Sequence, residues 1–169
     1  MSKPLTVDLP FPTTDDVCPD FRSLKIIQSA YASTRGELNA IMQYSYHAIS
    51  FENAHQKESA ELLESIAVSE MIHFKTLGLL ICKLGAQPIF SAQPPVPFNF
   101  YNTKFVNYTC NLLNMVEDDV IGETQAICSY EQMLKKLKNE RVKDVIERIL
   151  MDEKLHLEKL KELYCKLKR

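Results

Sequence analysis

Most of this chain has no proline. All eight fall in two windows, Pro4, Pro10, Pro12 and Pro19, then Pro88, Pro94, Pro95 and Pro97. Proline removes a backbone donor and clashes with the preceding helical turn, so residues 20–87 and 98–169 are left free to form long helices. Glycine is scarce too, limited to Gly36, Gly78, Gly85 and Gly122. Strand signals are weak; Phe90 to Tyr101 is aromatic but too proline-rich for a central strand. No apolar run reads as a membrane span, and MSKPLTVDLPFP lacks the apolar core of a secretory signal, so a cytoplasmic protein is expected. The five cysteines (Cys18, Cys82, Cys110, Cys128, Cys165) are odd in number and include no CxxC pair. That pattern fits reduced thiols and excludes both a disulfide framework and a four-thiolate rubredoxin-type iron centre within this chain. A net charge of −2 gives no global pull toward nucleic acid, and the basic stretch Lys159 to Arg169 reads as a solvated helix end.

What is present is a chain of 169 residues, long enough for one well-packed domain. Apolar spacing places four helices, at about Ser23–Phe51, Gln56–Leu84, Asn107–Lys138 and Arg141–Lys166, with Gly85 as a C-terminal stop. The proline-rich stretch from Gly85 to about Phe105 joins the second to the third. An all-α, antiparallel four-helix bundle with a long crossover between helices 2 and 3 follows, over residues 23–169, preceded by an extended segment 1–22. That segment packs either over the bundle or toward a second subunit.

Each helix carries an apolar stripe broken by charge. Glu37 interrupts the stripe of Ile27, Ile41 and Tyr44; Glu70 and His73 interrupt that of Leu63, Ile66 and Leu77. Glu123 sits among Val116, Val120 and Tyr130, and Glu153 and His156 sit among Ile146, Ile149 and Leu160. A carboxylate facing a core costs several kcal/mol unless protonated, paired or bound to metal. No Arg or Lys stands among these stripe residues, whereas two divalent cations would cancel four carboxylates. Glu and His at i and i+3 share a helix face, and a set of carboxylates and imidazoles suits iron or manganese.

One Glu-x-x-His is usually surface chemistry; two copies at matching places are not. Gly36-Glu37, Tyr44, Glu70 and His73 repeat as Gly122-Glu123, Tyr130, Glu153 and His156, with the same seven-residue step from Glu to Tyr. The midpoint of Glu37 and Glu70 falls at Asn53–Ala54 and that of Glu123 and Glu153 at Lys138, both at or beside expected turns. About 16 residues of helix put the first pair at one height, roughly 24 Å from its turn.

The stretches GELNAIMQYSYHA (36–48), IAVSEMIHFKTLGLLICKLGAQP (66–88), GETQAICSY (122–130) and RILMDEKLHLEKL (148–160) resemble the rubrerythrin and bacterioferritin group of ferritin-like di-iron carboxylate proteins. The resemblance implies Glu37 and Glu123 as terminal ligands, Glu70 and Glu153 as bridges, and His73 and His156 as one ligand each. It implies Tyr44 and Tyr130 as groups beside the carboxylates, although core packing explains tyrosines equally well. Asp152 could hold the distal nitrogen of a ligand histidine. The implied cofactor is two Fe ions, or alternatively Mn or a mixed pair. The implied activity is that of an oxidoreductase reducing peroxide or dioxygen under oxidative stress. Ferroxidase and storage, or a manganese catalase activity, are the alternatives, and a non-catalytic metal-stabilised helical module is a further one. Implied partners are further copies of the chain, as homodimer or larger homo-oligomer, and a separate electron donor protein. Two departures stand out. Rubrerythrins proper carry a further glutamate three residues after the third-helix ligand, where this chain has Ala126, and many carry a C-terminal rubredoxin-like domain, which this chain lacks. Met71 matches in place the haem-ligating methionine of bacterioferritins, but reads more simply as a helix-surface or core methionine. His47 and His55 lie outside the repeat and read as structural or exposed.

Overall fold

The computed structural model describes residues 2–96 and 98–168; Pro97 of the second proline window and Arg169 of the basic C-terminal stretch, like Met1, lie outside them. Among the described residues five α-helices form: α1 Phe21–Ala32, α2 Glu37–Asn53, α3 Lys57–Lys83, α4 Leu112–Lys136 and α5 Glu140–Leu167. The bundle consists of α2 to α5, with α1 as an extra helix before it. The only pairing of β type among the described residues is one antiparallel bridge, Ser91 to Phe100, inside the crossover.

The expected first helix is therefore broken, at residues 33–36. Ser33, Thr34 and Gly36 are poor helix formers, and Ser33 and Gly36 both take extended backbone. Gly36 is required there for space: a Cβ on it would lie 2.5 Å from the carbonyl oxygen of Ala30. The break starts α2 at Glu37, in the positive field of a helix N-terminus, where a carboxylate is favoured. On α1, Tyr31 stacks on Phe74 of α3 with ring centroids 4.3 Å apart, and Gly78 makes room for its ring.

Other boundaries follow local chemistry. Asp20 caps α1 by accepting from the Arg22 and Ser23 N–H groups, so the helix begins at Phe21 and not at Ser23. Asn111 caps α4 and Asn139 caps α5 in the same way. The third bundle helix therefore begins at Leu112, after an extended approach through Asn107. At the end of α3, Gly85 takes φ 95°, its N–H donates to the Cys82 carbonyl, and the Ala86 N–H donates to the Ile81 carbonyl. That is the six-to-one and five-to-two pattern of a Schellman stop. His55, in the turn between α2 and α3, is exposed and also left-handed.

Two apolar clusters form the core. One gathers Ile27, Leu77, Leu80, Val142, Ile146 and Ile149. The other gathers Phe51, Leu63, Ile66, Val116 and Leu160. Along α3 the order is Leu63, Ile66, then Glu70, His73, then Leu77, Leu80; α5 runs the other way through the same layers. The charged residues thus form a polar layer between two greasy ones. An 18-residue window of α3 has a mean hydropathy of 1.4, apolar enough by length and composition to cross a bilayer, contrary to the sequence expectation. Here that apolarity serves the core, since α3 touches both clusters and turns Glu70 and His73 inward.

Candidate metal centre

The polar layer brings all six expected donors together. Glu37, Glu70, His73, Glu123, Glu153 and His156 are each at most 4% exposed. Their donor atoms fall into two compact groups: Glu37, Glu70, His73 and Glu153, and Glu70, Glu123, Glu153 and His156. Glu70 and Glu153 belong to both, the arrangement needed for carboxylates that bridge two cations. His73 Nδ1 lies 3.3 Å from Glu70, 3.1 Å from Glu153 and 4.0 Å from Glu37. His156 Nδ1 lies 3.0 Å from Glu70 and 3.8 Å from Glu123.

Three carboxylate oxygens at the centre, Glu70 Oε1, Glu123 Oε2 and Glu153 Oε1, and the ring nitrogen His156 Nδ1 are buried without a well-aligned hydrogen-bond partner. Buried acceptors are almost always satisfied, so a group of orphans converging on one space is what a cation site looks like. The donor set of carboxylate oxygens and imidazole nitrogens fits two divalent cations of the iron or manganese kind.

The electrostatics agree. Burial, together with Glu70 and Glu153, pushes the Glu37 carboxyl well above its ordinary value. Burial, with Glu153 and Glu70, does the same to Glu123. Burial works against a charged Glu70, but the donors and histidines around it prevail and hold it well below the usual range. Burial likewise opposes charge on His73 and His156, and the surrounding carboxylates overcome it and push both up. So many negative charges in so little dielectric must be neutralised, by protons or by metal.

The tyrosines cross between the halves. Tyr44 on α2 donates to Glu123 on α4, and Tyr130 on α4 donates to Glu37 on α2. Burial and the nearby carboxylates push both phenols well above their ordinary value, so both remain donors. Asp152 lies on the outer side of His73. It accepts from His73 Nε2 at 3.0 Å, accepts from the Val7 N–H at 2.8 Å, and has Arg148 Nη1 2.7 Å away. An ionised Asp152 can only accept, which places the His73 proton on Nε2 and leaves Nδ1 facing the carboxylates.

Sequence reading missed a buried pair beside the centre. His47, read there as structural or exposed, is fully buried and donates from Nδ1 to Asp119 at 2.8 Å. The Asn107 N–H donates to the Gln43 side-chain oxygen, which turns the Gln43 amide nitrogen toward His47 Nε2 at 2.9 Å. The available signal was Asp119 itself, one helical turn before Glu123 and on the same face. Arg148 was missed as well; it is 5% exposed and serves Asp152, not the ligands. Met71 is on the exposed side of α3, and all five cysteines are free and exposed.

A cleft of about 620 Å³ lies between α4 and the α1–α2 junction, and its lining includes Glu37, Glu70, Glu123 and Glu153. Ala126 lies along it, where rubrerythrins proper carry a glutamate.

The rubrerythrin family model matches residues 28–164, which span the broken first helix through α5. The chain belongs to the rubrerythrin family. Among solved structures, the manganese catalase KatB from Anabaena is similar over 95% of this chain and 78% of its own, with 21% identity and a TM-score of 0.80. The bacterioferritin of Desulfovibrio desulfuricans, whose structure contains a diiron site, is similar over 86% and 80%, with 26% identity and a TM-score of 0.72. A dodecameric thioferritin from Bacteroides fragilis is similar over 89% of each chain, with 19% identity and a TM-score of 0.70. No curated protein sequence matches the chain. As a member of this family, the chain is a ferritin-like dimetal carboxylate protein, and the six donors are the residues that would hold the pair.

Proposed function

We propose that this rubrerythrin-family protein is a di-iron oxidoreductase that reduces peroxide or dioxygen. The observation that carries the reading is the doubly shared donor set, with orphaned acceptors at the floor of a cleft wide enough for small oxidants. When bound, a ferrous pair supplies the two electrons that peroxide takes up with two protons to give two waters. The chain's own residues do the rest. Glu70 and Glu153, whose donors belong to both groups, would hold the two ions jointly. His73 and His156 present Nδ1 lone pairs because their Nε2 protons are engaged elsewhere. Tyr44 and Tyr130 hold the terminal carboxylates in place and keep O–H protons beside them. The apolar clusters above and below the layer exclude water on both sides, leaving the cleft as the approach.

The small Ala126 and the likeness to a manganese catalase support a second reading, the disproportionation of peroxide by a manganese pair in the same cage. The likeness to a dodecameric protein supports a homo-oligomer, and a cytoplasmic location with a separate electron donor completes the proposal. The test is elemental analysis of anaerobically purified protein, followed by peroxide consumption with and without an electron donor. Iron with donor-dependent consumption is expected. Manganese with oxygen evolution and no donor would favour the second reading. Glu70→Ala and His73→Ala should remove both metal and turnover, and wild-type turnover by either variant would refute the assignment.

A further inference from the structure

The two ligand histidines have different supports. His73 gives its Nε2 proton to the carboxylate of Asp152, the residue just before Glu153. The residue just before Glu70, at the equivalent place in the other half, is Ser69, which has no charge to offer His156. The partner of His156 comes instead from outside the bundle: its Nε2 donates to the backbone carbonyl of Leu5 at 2.9 Å. Ser69 Oγ lies 2.9 Å from the same carbonyl, so both halves use the same two positions, and the N-terminal segment fills the gap in one of them.

That segment is fastened to both α3 and α5. The Leu5 N–H donates to the Ser65 carbonyl, and Ser2 Oγ donates to Glu64. Arg148 donates to the carbonyls of Val7 and Leu9, and its guanidinium sits 4.4 Å from the Phe11 ring centroid. The Leu5 side chain packs against the apolar cluster that contains Leu63 and Leu160.

We propose that residues 2–9 are a positioning strap for the metal centre, and that they make its two positions unequal. A carbonyl cannot donate, so Leu5 fixes the His156 proton on Nε2 and turns Nδ1 inward, as Asp152 does for His73. A neutral carbonyl raises ligand basicity less than a carboxylate does. The position beside His156 is therefore the weaker one, filled second and released first, and its histidine loses its partner when the strap lifts, whereas Asp152, which gives up only the Val7 N–H, keeps Arg148 beside it and its hold on His73. The inference rests on the dimetal reading but not on any activity.

The test is a titration of metal-free protein with manganous ion, read by calorimetry and by EPR, where an isolated ion gives the six-line signal of a single manganese nucleus and a coupled pair does not. Wild type should show two binding events of unequal strength. Leu5→Asp, which expels the strap from its apolar seat, should weaken the second event about tenfold to hundredfold. It should leave the first within a few-fold and give the isolated-ion signal at one equivalent and beyond. Adding Ser69→Asp to Leu5→Asp places a carboxylate where Asp152 stands in the other half, and should restore the second event. Circular dichroism of each variant confirms the bundle. Unchanged binding in Leu5→Asp, equal weakening of both events, or no rescue by Ser69→Asp would each overturn the strap. Wild type that binds no metal would instead sink the dimetal reading itself.

Discussion

The two halves of the bundle, α2–α3 and α4–α5, carry the same donors on different supports. Glu37 opens a helix, directly after a glycine packed against the Ala30 backbone; Glu123 sits in mid-helix, after a glycine with open space around it. His73 leans on a carboxylate and His156 on a carbonyl. His47 has Met133 as its counterpart in the repeat, and Asp119 has Ser33. Binding two ions fixes the donors, whereas each half has satisfied its buried groups with whatever its own surroundings offer.

The largest expected effect treats the halves alike, because it belongs to the shared centre. Glu37 and Glu123 have folded pKa values above the ordinary 4.5, and His73 and His156 above the ordinary 6.5. Each raised group stabilises the metal-free fold fully below its ordinary value and loses that contribution as pH climbs through its raised value. Glu70 is held low and runs the other way, contributing above 4.5 and losing its contribution as pH falls through its lowered value. As pH rises above 4.5, and further as it rises above 6.5, the metal-free protein should therefore lose stability while metal affinity rises, since metal displaces the retained protons. Melting curves of chelated and manganese-loaded protein across that range should diverge with rising pH. A metal-free Tm that rises with pH would contradict the charge assignment.

Next in size is a feature without a repeat copy. His47→Leu leaves Asp119 buried and uncompensated and should cost about 3 to 5 kcal/mol in urea unfolding. The double variant His47→Leu with Asp119→Leu should recover most of that loss, because replacing a buried pair by apolar groups is far milder than breaking it. Additive losses would mean that the two residues act separately.

The bundle and its crossover were legible because two proline windows bracket two proline-free blocks, and the donors because a face-breaking carboxylate is conspicuous in an apolar stripe. The break at residues 33–36 was not legible. The apolar stripe continues across it, from Ile27 to Ile41, and the crowding that demands glycine comes from a backbone oxygen that no pattern reveals. His47 and Asp119 were overlooked because a pair split between α2 and α4 has no local spacing. The strap was illegible for a simpler reason: it works through carbonyl oxygens, which every residue possesses.

A smaller contrast separates the two glycines. Gly36→Ala forces a methyl against the Ala30 carbonyl and should destabilise by about 1 to 3 kcal/mol while displacing Glu37. Gly122→Ala meets nothing within 4 Å and should stabilise α4 by up to about 1 kcal/mol through helix propensity. Thermal unfolding of the two variants measures both signs, and equal effects would erase the distinction drawn between the two helix contexts.

The smallest effect tests the crossing of the tyrosines. Tyr44→Phe and Tyr130→Phe each remove one hydrogen bond to a carboxylate in the opposite half, worth about 1 to 2 kcal/mol. The loss should appear at the position served by that carboxylate: Tyr130→Phe, acting through Glu37, weakens the event beside His73, and Tyr44→Phe, acting through Glu123, weakens the event beside His156. Combining Tyr44→Phe with His156→Ala should then cost less metal affinity than the sum of the two, because both act on one position. Combining it with His73→Ala should be closer to additive. If the coupling follows the helix hairpin, so that Tyr44 couples to His73, then the tyrosines serve packing within their own half and the crossed hydrogen bonds carry none of the metal affinity.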